Sequence, residues 1–211
     1  LLDNNENIYA GPAERIAHVL PDESKIQLNA DSKIRYNKKA WASERTLSLV
    51  GEAYFEVEKG QKFIVKTKSG DVTVLGTSFN VYNREDGFRV QCTSGKVQVT
   101  SGDAKVILTP DSGTSLINGQ LYKEELKQGK DIDWLNKIYR FDAIPLKVVF
   151  ESVQRQFDVK VTMTEEISKR LYTGTFEATD LNKALNSICF PMELSPIVQG
   201  NKIRIELDAD N

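Results

Sequence analysis

Apolar and polar residues alternate along residues 49–82, in short segments that are separated by glycines. Every second side chain is apolar in three successive segments, at Ala53, Phe55 and Val57, then Val72 and Val74, then Phe79 and Val81. Because successive side chains of a strand point to opposite faces of a sheet, this spacing predicts half-buried strands joined by tight turns.

The same pattern covers most of the first 118 residues and predicts about a dozen short strands. Two of them, Thr46–Val50 and Glu52–Glu58, lie on either side of Gly51. Many short strands at close spacing are typical of a sandwich, a barrel or a β-solenoid, and the pattern does not choose among these. We therefore expect an all-β N-terminal domain that is β-solenoid or sandwich-like.

Helical spacing replaces the alternation near residue 130. Two apolar stripes recur at intervals of three and four residues, Leu146, Val149, Phe150, Val153 and Phe157 in the first and Leu181, Ala184, Leu185 and Ile188 in the second. Pro145 suits the first helical turn, and Thr179 or Asp180 can cap the second helix. Strands are expected around each helix, among them Met192–Val198 and Lys202–Leu207.

The two helical segments resemble each other at an offset of 35 residues. Phe141-Asp142-Ala143 aligns with Phe176-Glu177-Ala178, and the apolar stripes that follow align as well. We expect a small α+β domain with a duplicated β-α-β unit, whose two helices bury their stripes on one sheet. The sequence thus predicts two domains, over residues 1–130 and 131–211.

Composition and charge exclude several classes of protein. The chain has 211 residues, 40% hydrophobic and 27% charged, and a net charge of −2. Nucleic acid is not an expected partner, because no basic patch is visible. No stretch has the roughly 18–20 consecutive apolar residues that a membrane span needs. The opening residues, LLDNNENIYAGPAER, are typical of the interior of a longer protein, so we expect a soluble fragment.

Residues that could carry chemistry are scattered. His18 is the only histidine, and no carboxylate or cysteine has ligand spacing to it. Cys92 and Cys189 lie in apolar patterns typical of small buried side chains. The sequence has no G-x-S-x-G elbow, phosphate loop or dinucleotide fingerprint. We therefore expect no catalytic residue, no cofactor-binding residue and no metal site, and a protein that is not an enzyme.

Four segments resemble the periplasmic region of the FecR family of anti-sigma factors: HVLPDESKIQLNADSKIRY, LVGEAYFEVEKGQKFIVKT, DVTVLGTSFNVY, and SGKVQVTSG with LTPDSG. From about Asp133 onwards, RFDAIPLKVVFESVQRQFDVKV and YTGTFEATDLNKALNSIC resemble the domain that follows in the Bacteroidetes branch of this family. That domain is similar in layout to the small N-terminal domain of secretins and TonB-linked transporters. The family hairpin usually has glycine after Pro-Asp, whereas Glu23 stands here.

The resemblance implies a signalling role at the cell envelope. It implies the periplasmic region of a single-pass inner-membrane protein, whose membrane anchor and sigma-binding cytoplasmic segment are absent from this chain. The implied partners are the periplasmic signalling domain of a TonB-dependent outer-membrane transporter and an extracytoplasmic-function sigma factor. The implied function is to relay the state of that transporter to that sigma factor.

The last two predicted strands are candidates for partner binding, since an edge strand can accept a further strand through its backbone. Pro191 and Pro196 limit pairing of the first of them, which suits an edge position. The candidate partner-binding residues are Leu194, Ile197, Val198, Ile203 and Ile205. Alternating apolar residues usually face inwards, so the same five residues are equally candidates for the core.

Two other functions remain open from the residues alone. A cell-surface domain that binds glycans or mediates adhesion would need an exposed aromatic platform, and the chain has two tryptophans, Trp41 and Trp134. A hydrolase would need two carboxylates facing each other across a cleft, which sequence spacing does not reveal.

Overall fold

Two separate units make up the structure, a computed structural model that describes residues 4–126 and 132–208. The first unit is Leu1–Gln128 and the second is Gly129–Asn211. The predicted domain boundary, between residues 130 and 131, lies outside the described residues and stays a prediction.

The described part of the first unit consists of thirteen strands. They are β1 Asn5–Ala10, β2 Ile16–Val19, β3 Lys25–Leu28, β4 Ser32–Asn37, β5 Arg45–Glu56, β6 Phe63–Lys66, β7 Asp71–Val74, β8 Ser78–Arg84, β9 Gly87–Ser94, β10 Val97–Ser101, β11 Ala104–Leu108, β12 Ser112–Ile117 and β13 Gln120–Glu125. This confirms the prediction of many short strands. The strands β1 and β13 were not predicted, because apolar and polar residues do not alternate in their sequences.

The long strand β5 belongs to two sheets. Its first half pairs with β4 and β6, and its second half pairs with β3 and β8. One sheet therefore has the order β1-β4-β5-β6-β7-β10-β11, and the other has β2-β3-β5-β8-β9-β12-β13. Neighbouring strands run antiparallel, except that β5 and β6 are parallel.

Gly51 allows β5 to pass from one sheet to the other. Its φ is +100°, and a Cβ atom there would lie 2.4 Å from Ser32 Oγ. A residue with a side chain would therefore be strained and would clash with β4. The prediction of two strands on either side of Gly51 was wrong in this respect, because a strand can continue through a glycine that accommodates the bend.

Aromatic side chains from both sheets fill one core. The rings of Phe55 and Phe79 stack at 5.0 Å, and Phe55 lies 6.2 Å from Phe63 on the other sheet. Trp41 packs edge-on to Phe63 at 5.7 Å. The two sheets thus enclose a shared core, and of the predicted alternatives the sandwich-like arrangement describes the first unit.

The second unit alternates strands and helices. Its elements are a 3₁₀ turn at Asp133–Asn136, β14 Ile138–Pro145, α1 Leu146–Phe157, β15 Lys160–Thr162, α2 Glu165–Lys169, β16 Leu171–Glu177, α3 Leu181–Cys189, a 3₁₀ turn at Phe190–Met192, β17 Leu194–Gln199 and β18 Lys202–Leu207. The strands β14 and β16 form an antiparallel pair, and the other three form a sheet in the order β15-β18-β17.

The order strand-helix-strand occurs twice in the second unit, as predicted. The helix α1 joins β14 to β15, and α3 joins β16 to β17, so each repeat contributes one strand to each of two sheets. The expectation of one sheet was wrong, because the two strands of each repeat pair with different neighbours. The predicted apolar stripes of both helices are buried in one core, apart from the partly buried Phe157 and Leu181. Asp180 caps α3 by accepting a hydrogen bond from the Lys183 amide at 2.9 Å. In the described residues, no helix is long and apolar enough to cross a membrane.

Candidate functional site

The strands β17 and β18 form a hairpin that carries all five predicted partner-binding residues. Three of them, Leu194, Ile203 and Ile205, are buried in the core of the second unit. Val198 is 44% exposed, and Ile197 is partly buried. The structure therefore does not bring the five side chains together on one surface. Only Ile197 and Val198 offer a partner any accessible side-chain surface, and the binding role of the five stays a prediction.

The strand β17 lies at the edge of its sheet, because β18 separates it from β15. Gln199 pairs with Lys202 across a two-residue turn, and the Asp208 amide donates to the Glu193 carbonyl at 3.1 Å. Hydrogen-bonded pairs alternate along an antiparallel ladder, so the odd-numbered residues of β17 direct their backbone groups towards β18.

The even-numbered residues of β17 direct their backbone groups away from the sheet. These residues are Leu194, Pro196 and Val198. Pro196 has no N–H group, and it occupies a position where the ladder to β18 needs none. The open edge therefore presents the N–H groups of Leu194 and Val198 and the carbonyl oxygens of all three residues.

Two exposed apolar side chains lie where β17 begins. Phe190 is 87% exposed, and Leu207, which pairs with Leu194, is 60% exposed. The Glu193 amide donates to the Phe190 carbonyl at 3.2 Å, which holds Phe190 beside the first residue of β17. Sequence reasoning missed Phe190, although a signal was present. The α3 stripe ends at Ile188, so position 190 falls off the buried face of the helix.

The single histidine takes part in a small polar cluster on the first unit. His18 Nε2 lies 3.0 Å from Tyr36 Oη, and that hydroxyl donates to Glu6 Oε2 at 2.9 Å. Burial of His18 lowers its pKa, which favours the neutral ring at pH 7. Within residues 4–126 and 132–208, no three His, Cys, Asp or Glu side chains are grouped so that they could hold a metal ion.

Both cysteines are free and buried, as their apolar surroundings predicted. Burial raises the pKa of the Cys92 thiol to about 11 and that of the Cys189 thiol to about 12. A thiol needs a lowered pKa to act as a nucleophile at neutral pH. The arrangement therefore gives neither cysteine the properties of a reactive site.

The two tryptophans are not placed where a glycan site would need them. Trp41 and Trp134 are 2% and 4% exposed. The exposed tyrosines Tyr9 and Tyr122 lie on β1 and β13, which belong to different sheets. Neither tryptophan therefore supplies the exposed platform on which the glycan-binding alternative depends.

Two family models match the chain in succession. The model described as "FecR protein" matches residues 6–98, and the model described as "FecR, C-terminal" matches residues 138–205. Together the two matches cover more than half of the chain, one in each unit. Among curated proteins, none matches the sequence.

Two crystal structures are similar to the whole chain. Each is of a proposed anti-sigma factor from Parabacteroides distasonis ATCC 8503, one at 2.50 Å resolution and one at 1.65 Å. The TM-scores are 0.88 and 0.87, each at 25% sequence identity, and each match covers 96% of this chain and 99% of the other. With both family models matched in order and the fold shared over nearly its full length, this chain belongs to the FecR family of anti-sigma factors.

Proposed function

We propose that this chain is the signal-receiving periplasmic region of a membrane-anchored anti-sigma factor. In this proposal it relays the state of a TonB-dependent outer-membrane transporter to an extracytoplasmic-function sigma factor. The observation that carries the proposal is the match of both FecR family models, one to each unit and in chain order. Bacteroidetes are the proposed group of origin, since the order of the two domains resembles that branch.

The two units have different parts in the proposed relay. The β-sandwich is a rigid scaffold, because its core is closed by aromatic contacts across both sheets. The small α+β unit is the receiver, because it has an open strand edge and exposed apolar side chains beside it. Its partner is the transporter's periplasmic signalling domain. Contact with the sigma factor belongs to a cytoplasmic segment on the other side of the inner membrane.

The proposed protein acts by binding and needs no chemistry of its own. Its cysteines are buried with raised pKa values, and its histidine is held by Tyr36. A receiver of this kind reads whether the transporter is occupied. The transported substrate therefore need not touch this chain.

A transcription reporter in the native organism tests the proposal. The reporter is a promoter of the sigma factor encoded beside the gene for this chain, and the transporter encoded there supplies the signal. We expect the transported substrate to change reporter output, and deletion of only the transporter's signalling domain to abolish that response. A response that persists without the signalling domain, or without the gene for this chain, would overturn the proposal.

A further inference from the structure

The three-stranded sheet of the second unit has two edges, and one of them is capped. On β15, the Val161 amide points away from β18 and donates to Gln154 Oε1 of α1 at 2.8 Å. This bond occupies the central donor of a strand that is only three residues long. Capping and shortness are both ways in which proteins prevent an edge from pairing with another chain. The edge of β15 is therefore closed to a further strand.

The other edge, on β17, lacks the equivalent cap. In the internal repeat, Gln154 corresponds to Cys189 and Val161 corresponds to Pro196. Cys189 is buried and offers no amide oxygen, and Pro196 has no N–H group that needs one. The strand is six residues long, and in the described part of the chain no side chain accepts from the outward N–H groups of Leu194 and Val198. The second repeat thus keeps open the edge that the first repeat closes.

Exposed apolar surface adjoins the open edge at its beginning. Phe190 precedes Leu194 there, and Val198 is the exposed apolar residue further along the strand. Phe190 is 87% exposed, so folding buries little of its apolar surface, and that surface is available to an incoming chain. The edge supplies backbone hydrogen bonds, and these side chains supply apolar contact.

We propose that the edge of β17 pairs with an extended strand of the partner protein, and that Phe190 contacts an apolar side chain of that strand. The inference rests on the proposed function, in which the partner is the transporter's signalling domain. Pro196 sets the register of this pairing, because it has no N–H group. The outward N–H groups of Leu194 and Val198 are therefore four residues apart, about 13 Å along the strand, with no donor between them. The partner strand must therefore place carbonyl oxygens opposite Leu194 and Val198.

Calorimetric titration of the full chain tests this inference with point variants. The probe is the purified signalling domain of the transporter encoded beside the gene for this chain. Val198→Pro removes one outward N–H group but leaves the ladder to β18 intact, and Val198→Thr changes the same side chain but keeps the N–H group. Phe190→Ser removes the exposed ring, and Leu75→Ser is its control, since Leu75 is 64% exposed on the first unit. Thermal melts establish that each variant folds.

We expect Val198→Pro to bind about tenfold or more weakly than Val198→Thr, and Phe190→Ser to bind about tenfold or more weakly than the original chain, with Leu75→Ser within about twofold of the original chain. If Val198→Pro does not fold, the comparison of Phe190→Ser with Leu75→Ser still tests the inference.

Binding by the original chain with both test variants unaffected would overturn the inference and leave the proposed function standing. No binding by the original chain would overturn both. A chain that dimerises alone, and loses the dimer on Val198→Pro, would show that the edge serves self-association and would overturn the assignment of the partner.

Discussion

Arg45 donates a hydrogen bond to Asp22 across 2.8 Å at one end of the β-sandwich, where both side chains are largely buried. Asp22 belongs to the turn between β2 and β3, and Arg45 begins the shared strand β5. The guanidinium also donates to the carbonyls of Glu58 and Gln61. One charged group thus joins a hairpin turn, a strand and the loop that leads to β6.

Loss of this guanidinium should destabilise the first unit. For Arg45→Met we predict a decrease of about 3 kcal/mol in the free energy of unfolding, because a buried carboxylate and two carbonyls lose their partner. Urea unfolding in a Trp134→Phe background measures this, since Trp41 then reports on the first unit alone. Lys105→Met, at an exposed position, is the control and should cost less than about 0.5 kcal/mol. Equal effects of the two substitutions would contradict the assigned role of Arg45.

The Asp22 carboxyl group should make the stability of the first unit sensitive to acid. Burial raises the pKa of Asp22, but hydrogen bonds from Arg45 and Ser24 outweigh it, and the net pKa is lowered. A carboxyl with a lowered folded-state pKa contributes stability above its unfolded value of about 3.9, and this contribution is lost as the pH falls through the folded value. We predict that stability decreases below about pH 4 and that Asp22→Asn reduces this decrease. An unchanged acid dependence in Asp22→Asn would refute the prediction.

Glu23 occupies a backbone conformation that favours glycine. Its φ is +66°, at the end of a three-residue hairpin loop in which the Glu23 amide donates to the Leu20 carbonyl at 3.0 Å. We predict that Glu23→Gly raises the free energy of unfolding by roughly 0.5–1 kcal/mol, because the left-handed conformation strains residues with a side chain. Glu56→Gly, at an exposed position in β5, should instead lower the free energy of unfolding. Thermal unfolding of both variants measures the two signs, and a destabilised Glu23→Gly would show that the turn is not strained.

Burial should protect both cysteines from modification. Cys92 and Cys189 are each 1% exposed, and their raised pKa values disfavour the thiolate. We predict that an aromatic disulfide reagent leaves both thiols unmodified in the folded chain at pH 7, and modifies both in denaturant. Fast modification of the folded chain would contradict their placement. A mass lower by two hydrogen atoms in the denatured chain would instead reveal a disulfide.

Much of the fold could be predicted because the spacing of apolar residues along the sequence shows which side chains are buried. The stripe from Leu146 to Val153 has the period of a helix and is buried as one face of α1. Alternation identified the inward side of β8 through Phe79 and Val81. By contrast, β13 carries charged and polar residues at most positions, so its sequence has no periodic pattern. It is a strand because it pairs with β12, which the sequence of β13 does not show.

The candidate site was less accessible to sequence reasoning than the fold. Alternation favoured the core for Leu194, Ile203 and Ile205 and left an interface open, and the packed second unit buries all three. The edge position of β17 was inferred from its prolines, because a missing N–H group limits pairing. The cap on β15 could not be foreseen, since Gln154 reaches Val161 only after α1 has packed.

Hydrogen exchange of the full chain, with and without the transporter's signalling domain, would locate the surface that binds this domain. We predict that the signalling domain slows exchange in peptides covering residues 190–199, where β17 and Phe190 lie, and leaves exchange in the sandwich strands around Gly51 unchanged. The outward amides of Leu194 and Val198 should show the largest protection, since they gain the new hydrogen bonds. Protection confined to the first unit, with exchange in β17 unaffected at a saturating concentration of the signalling domain, would show that β17 is not the binding edge.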